Sequence, residues 1–277
     1  MDSSEMSKMY IDEYISRARK AQAEFEKMSQ EEVDLAVKVI GKTVYDNAEY
    51  LAEIAVQETN MGNVPDKIAK NKQKSKIIWN SLKGKKSRGI LDTDETTGIT
   101  RIAKPMGVVA AITPCTNPIV TPMSNAMFAL KCGNVIIITP HHSSIKCSTE
   151  TVELINRELK KLGYPDYLIQ ILDQHSRENT KNLIASADVV IATGGSGVVG
   201  AAYSSGRPAL GVGAGNVQCI IDEGYDCKEA VPKIIAGRTF DYGIICSGEQ
   251  SVICSENDYD DVIEEFRANG AYVVSDK

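Results

Sequence analysis

The sequence predicts an α/β protein: a doubly wound parallel sheet with helices before it and the beginning of a second α/β domain after it. Three observations lead there. Short apolar runs rich in Val and Ile recur at residues 107–113, 134–139, 168–172, 188–193 and 217–221, separated by helix-length segments. Continuous apolar runs alternating with helices indicate parallel strands covered on both faces. The first 60 residues instead carry apolar positions at helical spacing. And 43% hydrophobic with 25% charged residues over 277 positions is enough to bury a sizeable core.

The elements follow in order. A first helix is expected over residues 9–28. Ser29 and Glu32 make a capping-box pattern for a second helix reaching about residue 57. Val33, Val37, Ile40, Val44 and Leu51 give that helix one buried face. A Lys-rich stretch, residues 67–86, surrounds the single Trp79 and reads as a solvated helix face, with a phosphate-binding patch as the alternative. Residues 89–104 change to short β-like runs around a polar turn, either an arm that pairs with another subunit or a plain surface hairpin. The strand-helix alternation then fills residues 107–221. The expected division is residues 1–225, a Rossmann-like nucleotide-binding unit, and residues 226–277, the start of a second domain that includes a βα unit over 255–269 and a strand at 271–274.

Charge and cysteine usage exclude several classes. A formal charge of −6 repels nucleic-acid phosphates, so no nucleic-acid partner is expected. A nucleotide can still bind through backbone N–H groups. No run reaches the roughly 18 apolar residues of a membrane span, and the polar N-terminus lacks a signal peptide's apolar core. Seven cysteines without a CxxC pair fit a reducing, cytoplasmic setting, most of them as small core residues.

In a doubly wound sheet, ligands bind beyond the carboxyl ends of the strands. The first strand ends in Thr113-Pro114-Cys115-Thr116-Asn117-Pro118. The prolines stiffen the turn, and Asn117 either donates to a developing oxyanion or caps the next helix. The second strand ends in Thr139-Pro140-His141-His142. With only His175 besides and no HExxH spacing, no metal site is expected, and a loop shaping a ribose pocket fits better. No carboxylate stands there to choose between NAD and NADP. The fourth strand runs into Gly195-Ser196-Gly197-Val198-Val199-Gly200, which fits a phosphate-cradling turn or a turn without a ligand. Cys246 lies between Ile244-Ile245 and Ser247-Gly248. If a helix starts just after it, the helix dipole lowers the thiol pKa; spacing alone leaves a buried structural cysteine open.

The stretches AKPMGVVAAITPCTNPIVTP, ADVVIATGG, AAYSSGRPALGVGAGN and FDYGIICSGEQSVI stand in one order along the chain. Together they resemble the aldehyde dehydrogenase superfamily, its CoA-acylating branch, and within that the clostridial succinate-semialdehyde group. The likeness covers essentially the whole chain. It implies a second domain that is catalytic, an NAD or NADP cofactor, and coenzyme A as co-substrate. The reaction implied interconverts a small aldehyde (succinate semialdehyde or a short-chain one) with its acyl-CoA. Cys246 matches the nucleophile, and the segment of Asn117 matches the side-chain oxyanion donor, with Thr116 the alternative aligned position. The Cys246 N–H is the second donor. Thr113, Pro114 and Thr116, then Pro140 and His141, match cofactor-side loops. Gly195, Ser196 and Gly200 match the nucleotide-binding turn, and Gly211 and Gly213 a later glycine run.

Two departures matter. Hydrolytic members resemble Glu-Leu-Gly-Gly-Lys-Asn where this chain reads Gly211-Val212-Gly213-Ala214-Gly215-Asn216. Losing that general base slows thioester hydrolysis by about 10²–10⁴-fold and empties its space, so CoA intercepts the acyl group. The family's catalytic domain also continues well past Lys277, which implies a truncated chain; the resemblance implies a homo-oligomer for the full-length family. The competing expectations are a non-catalytic nucleotide-binding remnant and an acid-forming aldehyde dehydrogenase. Arg207 or Arg238 is the candidate cation for a substrate carboxylate.

Overall fold

The structure, a computed structural model, describes residues 3–274. Four helices open the chain: α1 (Ser3–Phe25), α2 (Gln30–Asp46), α3 (Ala48–Thr59) and α4 (Val64–Leu82). The capping box at α2 forms as expected. Glu32 N donates to the Ser29 hydroxyl at 3.2 Å, and Ser29 N donates to the Glu32 carboxylate at 2.7 Å. Val33, Val37, Ile40, Val44 and Leu51 are all fully buried. The single helix expected to residue 57 is two helices, because the chain turns at Asn47. Its side-chain amide donates to Thr43 O at 2.8 Å, the local competition with helix continuation that makes Asn a boundary residue. The Lys-rich stretch is α4, but not a uniformly solvated face: Lys67 and Lys70 are buried against Asp241, far along the chain.

Strands β1 (Gly89–Asp94) and β2 (Ile99–Ala103) form an antiparallel hairpin with Ile90, Ile99 and Ile102 exposed. The main sheet holds β3 (Val108–Ile112), β4 (Val135–Thr139), β5 (Ile169–Ile171), β6 (Val189–Thr193) and β7 (Ala209–Val212). All pair in parallel, in the order β5-β4-β3-β6-β7. The crossover helices are α5 (Val120–Lys131), α6 (Ile145–Lys161), α7 (Arg177–Ser186) and α8 (Ser196–Tyr203). Right-handed crossovers put α5 and α6, with α2 packed over them, on one face, and α7 and α8 on the other, where α1 joins them. Every residue of β3 and β4 is buried, which is why those runs are apolar without alternation. Each fully buried Ile or Val there contributes about 1.5–3 kcal/mol. The strand order reverses between β3 and β6, so the switch point lies at their carboxyl ends.

The run at residues 217–221 does not join this sheet. β8 (Val217–Ile220) pairs in parallel with β9 (Glu249–Ile253) in a separate two-stranded sheet. Only residues 213–216 separate it from β7, and a parallel neighbour in one sheet needs a crossover of a dozen residues or more. With α9 (Cys227–Thr239) and α10 (Tyr259–Ala268), β8 and β9 enclose a small second core of Ile221, Val231, Ile234 and Val262. The strand expected at residues 271–274 does not form; among the described residues this segment has no partner strand, and Tyr272 and Val274 are exposed. Among the described residues, no helix is long and apolar enough to cross a membrane.

Candidate active site

A cavity of about 640 Å³ opens beyond the carboxyl ends of β3, β4, β6 and β7. This is where the reversal of strand order splays the crossover loops apart. It gathers Thr113, Pro114, Thr116 and Asn117 from the β3 turn, Pro140 and His141 from the β4 turn, Gly195 from the β6 turn, Gly213 after β7, and Cys246. Three anticipated residues lie outside the lining. Ser196 and Gly200 belong to the body of α8, whose N-cap Gly195 faces the cavity in their place. Gly211 lies within β7.

The floor is suited to a polar ligand. Thr113 is buried, and its hydroxyl has no hydrogen-bond partner. An orphaned buried hydroxyl costs about 1–3 kcal/mol, which a ligand group can recover. Gly195 caps α8 without any side-chain acceptor, and nothing lies within 4 Å in the direction of a Cβ there or at Gly213. Backbone N–H groups at such a helix start can face an anion directly. Asn117 does not cap the next helix: the N-cap of α5 is Ile119, with no side-chain bond. The Asn117 amide instead points to Thr116 Oγ1 at 3.4 Å, so both candidate donors share one wall.

Cys246 is exposed at the cavity rather than buried, and of the seven free cysteines only Cys147 is buried. Cys219, Cys227 and Cys254 are half-buried and pack against the second core, so the expectation that most serve as core residues holds in part but does not include Cys246. No helix starts after Cys246 either. The residue sits in a turn in which Gly248 N donates to Ile245 O at 3.2 Å, and the chain runs straight into β9. Pairing with β8 claims those residues, which leaves none for a helix. The turn is pressed against the β7–β8 connection: a Cβ on Gly215 would stand 1.9 Å from Cys246 O. Gln250 Nε2 donates to Gly215 O at 2.9 Å.

Just before the cysteine, Asp241 and Tyr242 adopt left-handed backbone (φ 52° and 56°). Non-glycine residues there cost of order 1–3 kcal/mol each and persist only when their surroundings hold them. Asp241 supplies that hold. Its carboxylate pairs with Lys67 Nζ at 3.0 Å and Lys70 Nζ at 2.6 Å and accepts from Asn63 N at 3.0 Å. Its own N–H donates to Asp66 Oδ2 at 2.7 Å.

Gly211 departs from expectation in a different way. The space beside it is not empty. A Cβ there would meet Tyr203 Cε2 at 2.6 Å and Val199 Cγ1 at 2.7 Å. Gly211 N also donates to the Tyr203 hydroxyl at 3.1 Å.

Sequence reasoning missed His175 and Arg177, which line the cavity from the loop after β5. The signal was available, since that loop also follows a strand's carboxyl end. Histidines 141, 142 and 175 meet here, with ring centroids 4.1 Å and 6.1 Å apart in sequence order. Burial pulls the pKa values of His141 and His175 below the usual range, and the neighbouring imidazoles add to it. Among the described residues, no group of three or more His, Cys, Asp or Glu is arranged to hold a metal ion. Arg207 and Arg238 are engaged elsewhere, donating to Ala185 O at 2.7 Å and Gly243 O at 3.3 Å.

Fold and cavity together define a doubly wound α/β protein with an accessible thiol held over the switch point of its sheet. The chain belongs to the aldehyde dehydrogenase family, whose family model matches residues 1–274. It is 57% identical over 267 residues to the succinate-semialdehyde dehydrogenase (acetylating) of Clostridium kluyveri, covering 96% of this chain and 59% of that one. The crystal structure of an acetylating aldehyde dehydrogenase from Geobacillus thermoglucosidasius superimposes with a TM-score of 0.93 at 39% identity, covering 99% of this chain and 61% of that one. Propionaldehyde dehydrogenase from Rhodopseudomonas palustris, solved with bound CoA and an acylated cysteine, gives a TM-score of 0.84 at 30% identity, with 96% and 61% covered. The chain thus spans about three fifths of the length of these relatives.

Proposed function

We propose that this chain is the nucleotide-binding and nucleophile-bearing portion of a CoA-acylating aldehyde dehydrogenase. The observation that carries this reading is the placement of the exposed Cys246 thiol in the same cavity as the strand-end loops and the Gly195 turn. Thr113, Pro114, Thr116, Pro140, His141, Gly195 and Gly213 form the binding wall for NAD or NADP. Ser196, Gly200 and Gly211 support that wall from the elements behind it. When bound, the nicotinamide supplies the acceptor for a hydride.

The Cys246 sulfur, as thiolate, adds to the aldehyde carbon and forms a thiohemiacetal oxyanion. The Asn117 amide and the Cys246 N–H hold that oxygen; removing one such donor typically costs about 10²–10³-fold in rate. Loss of hydride from the same carbon leaves a thioester on Cys246. The coenzyme A thiol, as co-substrate, then attacks the thioester carbonyl, releases acyl-CoA and returns the sulfur. Succinate semialdehyde or a short-chain aldehyde is the substrate, a reading supported by the 57% identity to a succinate-semialdehyde dehydrogenase (acetylating). We place the enzyme in the cytoplasm and in a homo-oligomer, the hairpin of β1 and β2 with its exposed isoleucines serving as the subunit arm.

The test is incubation of the chain with aldehyde, CoA and NAD(P), read as acyl-CoA by mass spectrometry. Acyl-CoA formation supports the proposal. Reduced cofactor without any need for CoA favours the acid-forming reading, and NAD(P) binding without turnover favours the non-catalytic one.

The packing at Gly211 adds an expected result. Gly211→Glu does not create a hydrolytic enzyme, because its Cβ collides with the Tyr203 ring. The substitution lowers stability by about 1–3 kcal/mol, as overpacking does, and calorimetry shows a lower melting temperature. An unchanged melt together with CoA-independent acid formation would contradict this.

A further inference from the structure

The cavity beyond the sheet is lined by one permanent cation and no carboxylate. Arg177 is that cation, and no Asp or Glu lines the wall with it. Among the described residues, Arg177 makes no ion pair and no side-chain hydrogen bond. The acidic residues flanking its loop do not neutralise it. Asp173 accepts from the Tyr10 hydroxyl at 2.5 Å, and Glu178 forms no ion pair among the described residues. At the strand ends of a doubly wound sheet, an acidic side chain receives a bare ribose hydroxyl, whereas an arginine receives a phosphate on that ribose.

The β4 and β5 loops converge on Arg177. It opens α7 directly after the N-cap Ser176. Thr180, one turn further on, meets Thr139 at the end of β4, their hydroxyl oxygens 3.5 Å apart. His141 follows Thr139 by two residues. Its Nδ1 accepts from Ser143 N at 3.2 Å, which leaves Nε2 to carry the ring's proton as a donor. His141, His175, Arg177 and Thr180 all line this part of the cavity. Both imidazoles are held below their usual range by burial, so near neutral pH they are uncharged and Arg177 alone supplies charge.

The loop that carries Arg177 is braced in advance. Gln174 N donates to the Tyr10 hydroxyl at 3.2 Å, and Asn179 Nδ2 donates to Gln174 O at 2.8 Å. Asn179 N donates to Ser176 Oγ at 2.9 Å, and the Ser7 hydroxyl of α1 donates to Asn179 Oδ1 at 2.6 Å. A loop fixed in this way gives up little freedom when a ligand arrives.

We propose that Arg177, with His141 beside it, forms a subsite for a phosphate monoester on the ribose of an adenine nucleotide. The 2′-phosphate of NADP and the 3′-phosphate of coenzyme A share that chemistry, and the guanidinium fork matches two of the phosphate oxygens. The proposal rests on the reading of the cavity as a nucleotide site, but its test needs no turnover.

The experiment is calorimetric titration of the full chain with two pairs of ligands, NADP against NAD and coenzyme A against its 3′-dephospho form. In one pair the phosphorylated member is expected to bind about tenfold or more tightly, and that pair identifies the source of the phosphate. Arg177→Gln is expected to remove the preference by weakening the phosphorylated member alone. Arg177→Lys keeps the charge without the fork and falls between the two. Circular dichroism confirms that the variants fold; Arg177 is exposed, so its substitution disturbs no core. Equal affinity within both pairs, or a preference that survives Arg177→Gln, overturns the subsite and leaves the nucleotide reading in place. Failure of all four ligands to bind overturns both. A preference lost in Arg177→Gln, in a chain that makes no acyl-CoA, supports the subsite and defeats the enzymatic reading.

Discussion

Cys246→Ala is expected to abolish acyl-CoA formation, by at least about 10⁴-fold where the parental chain turns over, because no other group can carry the acyl intermediate. Cys115 is the only other cysteine lining the cavity, and it sits in the β3 turn rather than beside Gly215. The loss is expected to be selective. Cys246 is exposed, so removing its sulfur opens no core cavity, and stability stays within about 0.5 kcal/mol. Nucleotide binding, which we assign to the strand-end loops and Gly195, is expected to be retained. Mass spectrometry after incubation with acyl-CoA reads the first point: an acyl adduct on the parental chain and none on the variant. Calorimetry reads the second. An adduct that survives the substitution would move the nucleophile elsewhere.

Gly215→Ala is expected to give the next largest loss, smaller than that of Cys246→Ala and through geometry alone. The added Cβ would lie 1.9 Å from the Cys246 carbonyl oxygen and 2.8 Å from its carbonyl carbon, both backbone atoms. No rotamer change relieves such a contact, so the cysteine turn must retreat by an ångström or more. Misplacement on that scale costs about 10²-fold in rate, and the strain lowers stability by about 1–3 kcal/mol. Gln250 Nε2 also donates to Gly215 O, tying the connection to β9. Steady-state kinetics and a melting curve on the same preparation test both effects. Parental kcat in Gly215→Ala would show that the turn is free to move.

The parts of this fold that were legible in the sequence share a local cause. β3, β4 and β6 announce themselves because burial on both faces removes polar alternation. The start of α2 shows because Ser29 and Glu32 carry their own capping chemistry. The strand-end rule picks out the loops of Asn117, His141 and Gly195 from position alone. What was missed depends on distant partners. β8 has the composition of a strand, but composition does not say which sheet accepts it; the length of the preceding connection does. The short edge strand β7 carries Gly211 and is half exposed, so it lacks the apolar run that marks its neighbours. Lys67 and Lys70 read as solvated because their carboxylate lies 174 and 171 residues away. The exposure of Cys246 is likewise set by the contact of two loops, and its flanking Ile residues pointed the other way.

The order of assembly follows from the pairing of β3 with β6. Val108 N donates to Asp188 Oδ2 across 80 residues of sequence, and Arg19 reaches the same carboxylate from the first helix. Closing so long a loop demands entropy before any contact rewards it, and chains rich in such pairings fold slowly. The floor of the cavity is therefore expected to form late, after most of the polypeptide has been made. The capture of Asp241 by Lys67 and Lys70 closes longer loops still, of 174 and 171 residues, so by the same argument the turn that carries Cys246 is expected to settle after the sheet.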